Sequence, residues 1–215
     1  MSSNNSLFKS GENVSVRIFS SNILNELTKT KWWTPALVFI PVVAYFSWSS
    51  FAIHNTTILE FIKYFAFGLV IWTIIEYVFH RWVFHFNATT EFQEYIHFMI
   101  HGVHHDYPND EKRLVLPPIM SIPLSTGFYF FYSLFLSSYM LSAFFAGFIL
   151  GYLAYDLLHY ALHHATFGQK SKIWQALKKN HMDHHFVDPE NGFGVSNIFW
   201  DKMFKTSIKK ATSKN

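Results

Sequence analysis

The chain contains no cysteine. That excludes disulfides, thiolate-ligated iron–sulfur clusters and a haem held by a Cys thiolate. Charge is scarce too: 14% of residues are Asp, Glu, Lys or Arg, against roughly 25% in ordinary soluble domains. The net charge is only +3, and no basic run interleaved with aromatics marks a nucleic-acid surface, so nucleic acid is not an expected partner. The first 31 residues are polar and lack a positive stretch leading into an apolar core, so no cleavable signal peptide is expected.

Apolar and aromatic surface is abundant instead. Half of the 215 residues are hydrophobic, and 25 are Phe. Four apolar segments stand out, at 32–50, 61–79, 117–137 and 140–159. Each runs to about 20 residues, which at ~1.5 Å per residue spans a hydrocarbon layer of ~30 Å. Trp32, Trp33 and Trp48 flank the first like an interfacial aromatic belt. Pro35, Pro41 and Pro123 are expected to kink their helices. A four-span topology places 16 of the 17 basic residues on one side, with Lys63 the exception. The positive-inside rule then puts both termini and the 80–116 link in the cytoplasm. The expected fold is all-α: an integral membrane protein with four transmembrane helices, paired as two hairpins, and a cytosolic helical cap. Residues 1–31 form a polar N-terminal segment with a short interfacial helix over 14–27. Residues 32–205 form the membrane domain, and 206–215 a basic tail.

Histidine is the anomaly, with 13 copies, most of them clustered. His80 and His85 close the second segment as H-x4-H. His101, His104 and His105 form H-x2-HH. His159 and His163 close the fourth segment as H-x3-H, and His181, His184 and His185 repeat H-x2-HH. All ten fall on the cytoplasmic side of the topology above. Residues three and four apart share a helix face, so each H-x2-HH string is expected to aim its imidazoles at one region. A metal needs several nitrogens about 2.0–2.1 Å away in fixed directions, which helices supply rigidly. Ten ligands exceed the needs of one ion and suit two with about five each, leaving a position for oxygen or water. Neutral imidazole suits iron, zinc, copper and nickel alike, so ligand type does not choose the metal. His54 lies in the outer loop and is not expected to bind. His97, four residues before His101, Asp156, three before His159, and Glu76, four before His80, are candidates to hold a ligand imidazole through its other nitrogen. Asp183 is a weaker candidate of that kind. His164 points away from His163 and is read as structural.

These four motifs with four spans resemble the fatty acid hydroxylase superfamily of membrane di-metal oxygenases. Three longer strings, HFMIHGVHHDYPNDEKRLVLPP (97–118), GYLAYDLLHYALHH (151–164) and NGFGVSNIFWDKMF (191–204), are similar to its fatty acid 2-hydroxylases, which act on sphingolipid acyl chains. The resemblance covers roughly residues 30–205. It implies a di-metal centre of two iron ions ligated by His80, His85, His101, His104, His105, His159, His163, His181, His184 and His185. Zinc fits the same imidazole ligands as a substitute but has no redox chemistry. It further implies O2 as co-substrate, hydroxylation of a long lipid acyl chain at carbon 2, and a location in the endoplasmic reticulum or, in a bacterium, the cytoplasmic membrane. Many relatives carry a fused cytochrome b5 domain. The 31 residues before the first span are too few for one, so a separate electron donor, cytochrome b5-like or ferredoxin-type, is expected. Lys112 and Arg113 are candidates to meet a polar head group.

Other proteins share parts of this pattern. A sterol or carotenoid oxidase or desaturase of the same superfamily shares the motifs. A membrane haem carrier or metal transporter would place its ligands inside the spans, nearer the midplane.

Overall fold

The computed structural model describes residues 7–209. Among the described residues every regular element is helical. The helices are α1 (Asn22–Leu27), α2 (Thr34–Ala52), α3 (Ile58–Val78), α4 (Glu91–His97), α5 (Val103–Asp106), α6 (Pro118–Ser133), α7 (Ser138–His164), α8 (Lys172–Phe186) and α9 (Phe199–Met203). Two stretches of wider π-helix, Phe79–Phe84 and Phe98–Gly102, extend α3 and join α4 to α5.

Among the described residues three helical stretches are long and apolar enough to cross a membrane: Thr34–Ala52, Ile58–Phe84 and Ser138–His164. The segment expected at 117–137 is shorter than its sequence suggests. Pro118 opens α6 at the helix start, where a missing N–H costs nothing, and the helix ends at Ser133 after 16 residues. At ~1.5 Å per residue that is about 24 Å, short of a ~30 Å hydrocarbon layer. The link to α7 therefore falls at 134–137 rather than 138–139. α7 begins earlier and ends later than expected, at 27 residues. Of the interfacial helix expected over 14–27, only Asn22–Leu27 is helical. The Ser21 hydroxyl caps it by accepting from the Leu24 N–H, and Ile23 on its outer face is 74% exposed. Of the basic tail, residues 210–215 lie outside the described residues.

The chain divides into two compact units. One comprises Ser15–Glu76 and Glu111–Tyr160; the other, within the described residues, comprises 7–14, Tyr77–Asp110 and 161–209. The first has an aromatic core of Phe39, Trp72, Phe144, Phe145, Phe148, Ile149 and Tyr152. Glycine sets how closely α3 and α7 approach there. A Cβ at Gly147 would lie 2.0 Å from the Phe65 carbonyl oxygen, and one at Gly68 equally close to that of Phe144. Lipid offers little hydrophobic drive between helices, so close backbone contact through small residues is what holds such a pair. The buried Asp156 of α7 accepts hydrogen bonds from the Leu116 N–H at 3.1 Å and the Tyr152 hydroxyl at 3.1 Å. It thereby pins the irregular 114–116 segment. Arg113 turns toward Thr28 and Asn25, each at 3.4 Å, on the N-terminal segment of the same unit.

The second unit carries α8, whose two faces differ. Leu177, His181, His184 and His185 are buried, while Lys172 and Lys179 are exposed. Ser171 caps its start by accepting from the Trp174 N–H.

A contrast between two glycines tests the packing of α3 on α7. Gly147→Ala should destabilise the protein by about 1–3 kcal/mol or more, as overpacking does. Gly127→Ala, in α6 with nothing within 4 Å of the added carbon, should be neutral or stabilising by up to ~1 kcal/mol. Thermal unfolding in detergent measures both, and equal midpoints for the two variants would contradict the close approach.

Candidate metal centre

The spacing H-x4-H does not put two side chains on one face of an α-helix, because five residues turn to about 140° from the starting direction. The chain resolves this with the π-helical stretch after α3. The His85 N–H bonds to the His80 carbonyl five residues back, at 3.2 Å, and that wider turn brings the two rings to 5.1 Å, tilted by 54°. A second π turn closes through the Val103 N–H and the Phe98 carbonyl. It brings His101 to the same place as His80, their Nε2 atoms 3.1 Å apart. His105 Nε2 lies 3.1 Å from that of His101, and His184 Nε2 lies 3.1 Å from that of His85. His80, His85, His101, His105 and His184 thus form one set, with ligand nitrogens all within 4.8 Å of one another.

A second set gathers His104, His163, His181 and His185 to the same tolerance. His163 and His181 bring their Nε2 atoms to 2.8 Å. His159 belongs by chain position to the other unit, where its Nδ1 sits 3.1 Å from the Leu114 carbonyl oxygen. It lies four residues before His163 on α7, and so on the same helix face.

Each H-x2-HH string therefore divides between the sets. His101 and His105 enter the first while His104 enters the second; His181 and His185 enter the second while His184 enters the first. This departs from the expectation that each string aims at one region. Residues four apart differ by about 40° around the helix, whereas adjacent residues differ by about 100°. The i and i+4 members stay together and the i+3 member reaches the neighbouring site.

The chemistry of these donors fits metal ions. His80 Nδ1 lies 2.5 Å from the Phe193 carbonyl oxygen, and His184 Nδ1 lies 2.8 Å from that of Asn191. A carbonyl only accepts, so each Nδ1 carries the hydrogen and each Nε2 of the neutral ring is left with a bare lone pair. Ligand nitrogens about 2.1 Å from one ion stand about 3.0–3.4 Å apart, close to the separations found. Both ring nitrogens of His185 are buried without a hydrogen-bond partner, an arrangement that costs free energy unless something else meets them. Burial, reinforced by neighbouring imidazoles, pushes His101 and His185 well below the usual histidine range and His85 down to about 2. Burial likewise lowers His184 to about 4. All are held neutral, the form that binds a metal.

Other expected participants fall outside the two sets. The His97 ring stands 6.3 Å from that of His85 and 5.5 Å from that of Phe86. Asp156 touches no imidazole. It acts at one remove, on the segment whose Leu114 carbonyl meets His159. Glu76 is buried on α3, one turn before His80. Asp183 pairs with Lys179. His164 and His54 join neither set. Sequence reasoning missed the carbonyls of Asn191 and Phe193, since a backbone oxygen carries no residue signature.

Two predictions follow from this geometry. The pair His105→Ala with His184→Ala removes ligands from one set only and should leave about one ion per chain by elemental analysis. The pair His104→Ala with His184→Ala strikes both sets and should leave none; identical stoichiometries would contradict the division of the strings. The depressed imidazoles also make acid favour unfolding, because the unfolded chain takes up protons below about pH 6.5 that the fold refuses. Chelator-stripped protein should keep full stability above that pH and melt progressively lower from pH 6.5 to 5. A flat profile would count against neutral burial.

The fatty acid hydroxylase family model matches residues 65–206. A dihydroceramide fatty acyl 2-hydroxylase of Arabidopsis thaliana is 36% identical, over 93% of this chain and 84% of its own length. A fatty acid 2-hydroxylase of Rattus norvegicus is 34% identical, over 90% of this chain; the chain spans 57% of that relative's length. A solved structure of full-length scs7p, with only the hydroxylase domain visible, superposes with a TM-score of 0.81 at 37% identity, covering 87% of this chain and 70% of that one. With its paired imidazole sets and helical architecture, the chain belongs to the fatty acid hydroxylase family.

Proposed function

We propose that this protein hydroxylates a long lipid acyl chain at carbon 2, using O2 at a His-ligated di-iron centre. The observation that carries the reading is the pair of buried imidazole sets interlocked by two H-x2-HH strings. The names of the relatives, fatty acid 2-hydroxylase and dihydroceramide fatty acyl 2-hydroxylase, support the acyl chain as substrate and carbon 2 as the position. His159 is taken as the fifth nitrogen of the second set, from its place one turn before His163.

Two bound irons would supply the redox chemistry: one oxygen atom of O2 enters the C–H bond, the other leaves as water, and two electrons and two protons are consumed. The electrons come from a donor that is cytochrome b5-like or ferredoxin-type. The protein's part is orientation and exclusion of water. The Phe193 and Asn191 carbonyls fix the tautomers of His80 and His184, and burial keeps the imidazoles neutral. Zinc fits the same nitrogens, but a zinc-loaded enzyme should be inactive.

The same reading places four spans in the membrane, with α6 as the short one, and both termini and the metal centre in the cytoplasm. Exposed apolar side chains along and just beyond α6, among them Phe130 at 63% and Leu134 at 77%, suit contact with lipid. A helix of about 24 Å is accommodated by local thinning of the bilayer, at a fraction of a kcal/mol per ångström.

Lipid mass spectrometry of a host expressing the chain tests the reaction. The expected product carries one added oxygen at carbon 2 of an acyl chain. Loss of two hydrogens, or oxygen on a sterol, would instead assign a desaturase or sterol oxidase. For topology, reporters fused after Asn55 and at the C-terminus should read opposite compartments; matching readings would sink the four-span arrangement.

A further inference from the structure

Both carbonyls that orient imidazoles of the first set come from one irregular loop, residues 191–194. Phe193 serves His80 and Asn191 serves His184. The loop is tied to a single buried carboxylate. Asp201 of α9, 1% exposed, accepts from the Phe193 N–H at 2.9 Å, the Gly194 N–H at 2.8 Å and the Thr206 hydroxyl at 2.9 Å. From the other side Asn180, the residue before His181 on α8, donates to the carbonyls of Gly192 at 3.3 Å and Gly194 at 3.0 Å. Gly192 takes a φ of +76°, open to few other residues, and its N–H reaches the Thr206 carbonyl at 2.7 Å. A Cβ at position 194 would stand 2.0 Å from the Asn197 carbonyl oxygen and 2.7 Å from the Asp201 Oδ2, so both the loop and the carboxylate can approach only because that residue is glycine.

The network also returns to the metal-bearing π turn. Thr206 gives its one hydroxyl hydrogen to Asp201, so the Tyr77 hydroxyl, 2.7 Å away, donates to Thr206. Arg81, next to His80, donates to Tyr77 at 3.2 Å. Donation thus runs from Arg81 through Tyr77 and Thr206 to Asp201, and a second branch runs from His80 to the Phe193 carbonyl, whose peptide N–H, at Gly194, donates to the same carboxylate.

We propose that Asp201 is a positioning residue for one of the two metal ions. It touches neither the ion nor a ligand. By holding the Gly194 N–H it sets the Phe193 carbonyl of the same peptide unit, and with it the tautomer and aim of His80. By holding the Phe193 N–H and Thr206, whose carbonyl takes the Gly192 N–H at 2.7 Å, it fixes the turn that presents the Asn191 carbonyl to His184. Those two rings belong to the first set, so the effect falls on one ion and spares the other. The proposal rests on the metal-centre reading above.

The test uses the full chain purified in detergent, loaded with zinc and challenged with chelators of graded strength, with bound zinc counted per chain. Asp201→Asn sets an amide N–H₂ among groups that themselves donate. It should lose one zinc about 10–100-fold more readily, the usual range for partners that orient ligands, and hold the second as the wild type does. Gly194→Ala, which crowds the same carboxylate, should give the same one-ion pattern. Thr206→Val removes a single bond to Asp201 and should give a smaller loss at the same ion, which keeps the test decisive if Asp201→Asn does not fold. Phe39→Leu, in the aromatic core of the other unit, is the control for lowered stability alone and should keep both ions. The proposal is overturned if Asp201→Asn melts lower yet holds both zincs as tightly as the wild type, or weakens both equally. A wild-type chain that binds fewer than two ions would overturn the metal centre itself, and this proposal with it.

Discussion

A neutral imidazole has one N–H and one lone pair, and the site depends on which nitrogen has which. Where Nδ1–H meets a backbone carbonyl, Nε2 is committed as a lone pair and its direction is set. His80 and His184 obtain this from Phe193 and Asn191. The requirement reaches well beyond the rings. Here both carbonyls come from outside regular helix, where no backbone N–H competes for them, so an irregular loop is placed beside two helical elements. Placing it takes a buried carboxylate, an asparagine on α8 and glycines at 192 and 194. Much of the polar structure from Asn180 to Thr206 is accounted for by the need to present two oxygens correctly.

The same constraint explains why the helices are not uniform. An α-helix alone cannot aim His80 and His85 together. The widened turn at Phe79–Phe84 makes them neighbours, and the one at Phe98–Gly102 adjusts the approach of His101. π turns are less favourable than regular helix and tend to persist where function requires them. The burial that keeps the imidazoles neutral also leaves polar nitrogens dry, as at His185, so the metal-free site is costly and ions stabilise the fold by mass action.

The H-x2-HH strings act as couplers. Because each sends two imidazoles to one set and one to the other, neither set can shift without dragging a helix turn that also serves its neighbour. Inserting one residue in such a string would rotate everything after it by about 100° and misdirect both. The aromatic unit works by another principle: Gly68 and Gly147 let α3 and α7 approach until backbone meets side of backbone, and Phe and Trp rings fill what remains.

The sequence by itself determined the inventory. Ten candidate imidazoles and their spacings, three of the four apolar segments as full-length helices, the lack of cysteine and the family were all legible, because they depend on residue identity and on periodicity along one helix. It did not determine which imidazole serves which set. Helical spacing fixes angles only within an element, and His80 meets His184 across a hundred residues of chain. Nor did it reveal that α6 stops at Ser133, that Asp156 grips the Leu116 N–H rather than an imidazole, or that Asp201 anchors the loop at 191–194. Those outcomes turn on backbone N–H and carbonyl groups, which every residue possesses, and only the tertiary structure decides which of them come into reach.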